Sequence, residues 1–98
     1  MKVFYTRQGI QFEWESDKAF VNLHKHEIAF EMACEVFFDP FLHQDDDEVV
    51  DGELRERVIG MTKNWQVLYV VYTLRGGTIR VISARSANRQ QRRDYENY

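Results

Sequence analysis

Between Arg57 and Arg93 the chain has no acidic side chain, so its C-terminal part is positive wherever it is charged. Cysteine is nearly absent too. Cys34 is the only one and stands in an apolar run, which excludes an internal disulfide and points to a reducing compartment. One proline and five glycines, against 44% apolar and 14% aromatic residues, exclude extended disorder. No apolar run approaches the ~18 residues of a spanning helix, and no cationic-then-apolar leader opens the chain. The expectation is a soluble, cytoplasmic protein with no membrane partner. No internal repeat or low-complexity linker occurs. The 98 residues are expected to form one domain, 1–98, burying about two-thirds of the unfolded surface.

What charge there is divides unevenly. Residues 1–53 carry 13 acids and 4 bases, a balance of −9; residues 54–98 carry 3 acids and 9 bases, +6; together these give the net −3. An acidic protein is a poor generic nucleic-acid binder, so its basic face must act locally. Arg85, Arg89, Arg92 and Arg93 are spaced to share one helix face. Like charges there repel by a few tenths of a kcal/mol per pair. A phosphate polyanion or an acidic partner would relieve this, and arginine's planar fork suits phosphate.

Ile10, Phe12 and Trp14 alternate with polar residues and predict a strand; Val3 and Tyr5 alternate before it as an extra strand or a loose lead-in. Ser16 or Asp17 is placed to cap a helix that runs to about His26. A second helix is expected from Phe30 to about Phe37, ended by Asp39-Pro40. Phe41 to Gln44 suits a short strand. The acids Asp45 to Glu48, with Asp51-Gly52-Glu53, read as a solvated loop or hairpin tip. Strands are expected over Arg55–Thr62, Trp65–Leu74 and Ile79–Ser83, joined by turns at Lys63-Asn64 and Arg75-Gly76-Gly77-Thr78. A last helix is expected from around Ser86 to near Asn97.

Several segments together resemble the BrnT family, toxins of bacterial type II toxin–antitoxin modules within the RelE/ParE-like group. They are Phe12-Glu13-Trp14-Glu15…Lys18…Asn22-Leu23…Lys25-His26, then Phe30-Glu31-Met32-Ala33…Val36-Phe37…Asp39-Pro40, then Arg55…Ile59-Gly60, and finally Ile79-Arg80-Val81-Ile82-Ser83-Ala84-Arg85…Ala87…Arg89…Tyr95. The last carries the most specific match. Three positions depart from the pattern. Glu27 replaces a glycine, so the helix-ending turn is expected to do without a left-handed residue. Ala29 replaces a serine cap, and Leu54 replaces an acid before the strand arginine. With the resemblance, the expected fold is α+β and RelE-like: an antiparallel sheet of about four or five strands, two N-terminal helices and one C-terminal helix.

The resemblance implies a ribonuclease toxin that arrests growth. It also implies a cognate BrnA-like antitoxin with a ribbon-helix-helix DNA-binding part, and promoter DNA bound only through the toxin–antitoxin complex, which represses its own promoter. RNA self-cleavage requires an in-line 2′-hydroxyl, a proton acceptor and cations to stabilise charge on phosphate; it needs no metal or other cofactor. Arg85, Arg80, Arg55, Lys25 and His26 are the catalytic candidates. Arg80 interrupts an apolar strand, and imidazole exchanges protons near neutrality. Arg89, Arg92 and Arg93 are RNA-binding candidates. Each has a plainer explanation: Arg80 and Arg85 as surface residues or partners of Glu56 or Asp94, Lys25 and His26 as complements to the helix dipole. Tyr72 and Cys34 read as core. His24, His26, His43 and the acidic run match no metal-site spacing. A non-catalytic RNA- or protein-binding module, or a ParE-like toxin with a non-RNA target, remains open.

Overall fold

A computed structural model describes residues 1–97. Strands β1 (Lys2–Arg7) and β2 (Ile10–Glu15) form a hairpin closed by Gln8 and Gly9, both in the left-handed region. Its register sets Val3 opposite Trp14 and Tyr5 opposite Phe12, which gathers the apolar face. The chain then enters α1 (Ser16–His26), α2 (Phe30–Ala33), which continues as a 3-10 turn (Cys34–Phe38), and β3 (His43–Gln44). Next come β4 (Glu48–Val50), β5 (Glu53–Met61), β6 (Val67–Arg75), β7 (Thr78–Ser86) and α3 (Arg89–Glu96).

The class is α+β as expected, but the sheet is larger and mixed. Its order is β1-β2-β7-β6-β5-β3, with β4 also on β5. β5, β6 and β7 form the antiparallel meander that their short turns require. β2 instead lies parallel to β7, pairing Phe12 with Ile79 and Glu13 with Arg80. This corrects the antiparallel sheet of four or five strands. The two strands are far apart in sequence, and helical segments on the intervening path permit a parallel return.

Four local expectations also change. The second N-terminal helix is one α turn tightened into a 3-10 turn, because Ala33, Cys34 and Val36 are all buried and Phe37 and Phe38 also pack on the core. The N-cap position of α1 is Glu15, with no side-chain cap; the Ser16 N–H donates to the Met1 carbonyl at 2.8 Å. Glu27 does adopt the left-handed turn, φ 59°, its N–H donating to the Leu23 carbonyl. α3 starts at Arg89, three residues later than expected, because Asn88 and Gln91 form a capping box while β7 continues to Ser86.

The main core lies between one sheet face and the α1–α2 segment, around Phe12, Trp14, Phe30, Val36, Val58, Leu68, Val70 and Val81. Tyr72 is buried there against Phe37, and Cys34 is fully buried, its thiol pushed up to about 12 mainly by burial. A smaller cluster on the other face joins Ile59, Val67 and Ala87 to Met61, Tyr69 and Tyr95 of α3. Asp39 links the pieces. It accepts from the Phe41 N–H at 2.9 Å, the Met61 N–H at 2.8 Å and the Tyr95 hydroxyl at 2.5 Å.

Gly60 is required by contact. A Cβ there would stand 2.8 Å from the Val36 Cβ and 2.9 Å from the Leu42 Cδ1. Replacing Gly60 with Ala should therefore lower stability by about 1–3 kcal/mol through overpacking. Urea unfolding at neutral pH measures this, and an unchanged midpoint would contradict the close approach.

Candidate functional site

β7 organises the site. Alternation alone would put Ile79, Val81, Ser83 and Arg85 on one face. The register instead pairs Val71 with Ser83 and Tyr72 with Val81, leaving Ile82 as an extra residue. This β-bulge resets the alternation. Val81 and Ala84 both enter the core, and Arg85 emerges on the opposite face across from Tyr69.

There the Arg85 guanidinium carbon lies 4.4 Å from the centre of the Tyr69 ring. One terminal nitrogen donates to the Ser86 carbonyl at 3.1 Å and to Gln91 Oε1 at 3.0 Å. Gln91 also accepts from the Asn88 N–H, so the α3 cap and the arginine share one acceptor. All these partners are uncharged, and among the described residues Arg85 enters no ion pair. Its charge is fixed in place and not neutralised. Arg85 lies on the strand and not on the helix, which corrects the four-arginine helical stripe. Arg89, Arg92 and Arg93 do share the outer face of α3, where with Glu96 they border an open groove.

Arg80 has the opposite character. It donates to Glu13 Oε2 at 2.8 Å and to Glu15 Oε1 at 3.5 Å. A phosphate would have to displace one of these acids. The partners are Glu13 and Glu15 rather than Glu56 or Asp94, because the parallel β2–β7 pairing brings β2 alongside. Lys2 joins them at 3.3 Å from Glu13. Burial alone would raise the Glu13 carboxyl, but hydrogen bonds and charge from Arg80 and Lys2 outweigh it and hold it below its usual value.

Arg55 and Arg57 stand two apart on β5 and so share a face with each other and, through Val71 and Ser83, with β7. Arg57 pairs with Glu48, while Arg55 has no acid partner among the described residues. Glu48 of β4 stands opposite Arg55 in the register, but its carboxylate pairs with Arg57. The Nε of both arginines is buried without an acceptor.

Lys25 and His26 lie elsewhere, on the other side of the β7 edge. With Asp17, Lys18, Val21, Asn22, Ile82 and Ser83 they line a cleft of about 330 Å³. Arg85 does not line it. Asn22, which the sequence marks only as a position of the family pattern, holds the cleft together. β2 bends into α1 at Ser16 and leaves the β7 edge without a strand partner past Arg80. The Asn22 amide fills that place. Its Nδ2 donates to the Ala84 carbonyl and the Ile28 carbonyl, both at 2.9 Å, and its Oδ1 accepts from the Ala84 N–H at 3.1 Å. Lys25 and His26 come at i+3 and i+4, on the same helix face. The apolar neighbours of Asn22 give no sign of such a role; only the distant β7 edge supplies the partners. No group of three or more His, Cys, Asp or Glu stands close enough to hold a metal ion among the described residues. No helix among them is long and apolar enough to cross a membrane.

The chain is thus a small α+β domain with a strand-borne arginine free of acids, an arginine-lined helix and a lysine–histidine cleft. The family model described as "Ribonuclease toxin, BrnT, of type II toxin-antitoxin system" matches residues 14–91, and the chain belongs to that family. The fold is similar to the crystal structure of the Brucella abortus ribonuclease toxin, BrnT, with a TM-score of 0.53 and 22% identity over 78% of this chain and 94% of that chain. No curated protein matches the chain.

Two outcomes test this geometry. Asn22→Ala strips buried backbone groups of their partners and should cost about 2–3 kcal/mol, read by denaturant unfolding. A loss below about 0.5 kcal/mol, the range of ordinary surface changes, would mean water or relaxation replaces the clamp. The second is a pH dependence. A carboxyl lowered in the folded state contributes fully above its ordinary value of 4.5 and loses that contribution as pH falls through the lowered one. Glu13→Gln should therefore be less stable than the native chain at pH 7, with the gap closing on acidification towards pH 3. A gap of constant size would show that the carboxylate's charge is not what matters.

Proposed function

We propose that this BrnT-family chain cleaves RNA without a metal ion, and that Arg85 is the main ligand of the scissile phosphate. The observation that carries this reading is the fixed, uncompensated charge of Arg85, stacked on Tyr69 and held by Gln91. Such a guanidinium costs little reorganisation when charge grows on the phosphate oxygens. Arg55, two residues from Arg57 on the same face, supplies a second positive charge. Arg89, Arg92 and Arg93 hold the flanking backbone. Arg80, bound by two acids, acts as a positioning residue that fixes β2 to β7.

An RNA strand crossing the β7 edge at Ile82–Ser83 meets the arginine face on one side and the Lys25–His26 cleft on the other. In that path His26 accepts the proton of the attacking 2′-hydroxyl. The 2′-oxygen bonds to phosphorus, the bond to the 5′-oxygen breaks, and the 5′-oxygen takes a proton from solvent water, so that a 2′,3′-cyclic phosphate and a 5′-hydroxyl result. Lys25 adds charge beside the departing group.

The family pairs its toxins with antitoxins, and the further proposal is that a ribbon-helix-helix antitoxin neutralises this chain in the cytoplasm. The complex, not the toxin alone, would then bind and repress the shared promoter.

Purified protein free of any antitoxin, incubated with bulk RNA in excess EDTA, should degrade it. Arg85→Ala should lower the rate by about 100-fold or more, the scale for removing one preorganised charge donor. His26→Gln should slow it while RNA binding persists. RNA left intact by the native chain would overturn the nuclease reading in favour of a binding module or a non-RNA target.

A further inference from the structure

The turn joining β5 to β6 carries a side chain that folding does not account for. Trp65 was expected to begin the central strand, but β6 starts at Val67 and Trp65 is 81% exposed. Its φ is 65°, a left-handed conformation that bulky side chains avoid. The ring therefore gains little from burial and sits on an unfavourable backbone. The turn itself is well tied. The Thr62 N–H donates to the Gln66 carbonyl at 2.8 Å, the Trp65 N–H to the Thr62 carbonyl at 3.1 Å, and the Gln66 N–H to the Thr62 hydroxyl at 3.2 Å. Trp65 is thus held outward from a fixed support.

Its position along the sheet supplies the second observation. The Val67 carbonyl accepts from the Ala87 N–H at 2.9 Å, and Leu68 lies opposite Ser86. The turn therefore stands at the end of the sheet where β7 passes into α3. Arg89, Arg92 and Arg93 face outward there beside an open groove that also includes Glu96. Arg85, on its Tyr69 ring, is the next functional side chain inward along β7. Lys63 lies within the turn, and none of these five cations enters an ion pair among the described residues.

We propose that Trp65 is a stacking platform for an unpaired base of single-stranded RNA, whose backbone runs along Arg89, Arg92 and Arg93 towards Arg85. The inference deepens the ribonuclease reading and rests on it. Base stacking on an aromatic ring accepts any base, and arginine forks match phosphate, so together they hold a single strand with little sequence preference. A duplex would not offer a base face to the ring. A protein interface would gather further apolar side chains around the ring as its buried core, whereas the neighbours of Trp65 in the turn are Lys63, Asn64 and Gln66.

The test uses the intact chain and a short single-stranded oligouridine with methylated 2′-hydroxyls, which cannot be cut. Trp14, 2% exposed, is shielded in the core, so added oligonucleotide should quench Trp65 selectively. Trp65→Gly should abolish the quenching and weaken affinity by about 5- to 100-fold, while Trp65→Tyr keeps most of it. The melting temperature of Trp65→Gly should stay level or rise, because glycine suits a left-handed turn. Unmoved Trp65 emission with oligonucleotide bound, equal affinity of Trp65→Gly, no detectable binding, or a lowered melting temperature would each overturn the proposal. RNA cleavage by the native chain without such quenching would refute the platform alone. Quenching without cleavage would refute the nuclease reading alone.

Discussion

The extra residue at Ile82 is the constraint on which the rest depends. A strand has a period of two, so one inserted residue exchanges the faces of everything after it. Before the bulge β7 sends Ile79 and Val81 inward; after it Ala84 goes inward and Arg85 outward. Without the shift an arginine would point into the main core, where an unpaired charge is prohibitively costly. With it, Arg85 reaches Tyr69 and Gln91, and the α3 cap forms one residue cluster with the strand. The same stretch of edge is where β2 has already left the sheet. Ala84 is then free to be gripped by Asn22, and that grip carries Lys25 and His26 to the edge. Bulge and clamp together decide which side chains face one another across β7.

Charge shows what folding does to a sequence pattern. Along the chain the acids lie mostly before residue 54 and the bases after it. In three dimensions much of that separation disappears. Glu13 and Glu15 meet Arg80, Glu48 meets Arg57, and Glu53 meets Arg75. The exposed pairs each contribute only about 0–1 kcal/mol, so their chief effect is to remove three arginines from the pool available to a polyanion. Arg55, Arg85, Arg89, Arg92 and Arg93 keep their charge. The basic surface is therefore narrower than the sequence suggests and concentrates where β7 runs into α3.

Local grammar made much of the fold legible. Alternation marked β1 and β2, the apolar run marked β6, and the turns at Lys63-Asn64 and Gly76-Gly77 set the meander. The misreadings share a cause. Nothing local in Phe12 or Ile79 specifies a parallel neighbour more than 60 residues away. Nothing local at Glu27 announces a left-handed residue that is not glycine. Nothing in the Ser83–Ser86 run distinguishes strand from helix; the boundary is drawn only where Asn88 and Gln91 cap α3. At the site, the arginines and the Lys25-His26 pair were visible as residue types and Asn22 only as a motif position, while Tyr69 and Gln91 were not visible. Their importance lies in the partners they touch.

By itself the sequence determined the α+β class, the hairpin turns, the buried places of Cys34 and Tyr72, and the family, because side-chain period, turn chemistry and motif spacing are properties of neighbouring residues. Only the tertiary structure decided which arginines are neutralised, which face Arg85 occupies, and that the Lys25–His26 cleft and the arginine face flank one strand edge. Those outcomes depend on a single-residue register shift and on pairings between distant segments. Ion pairing falls off over a few ångströms, and no spacing along the chain encodes that distance.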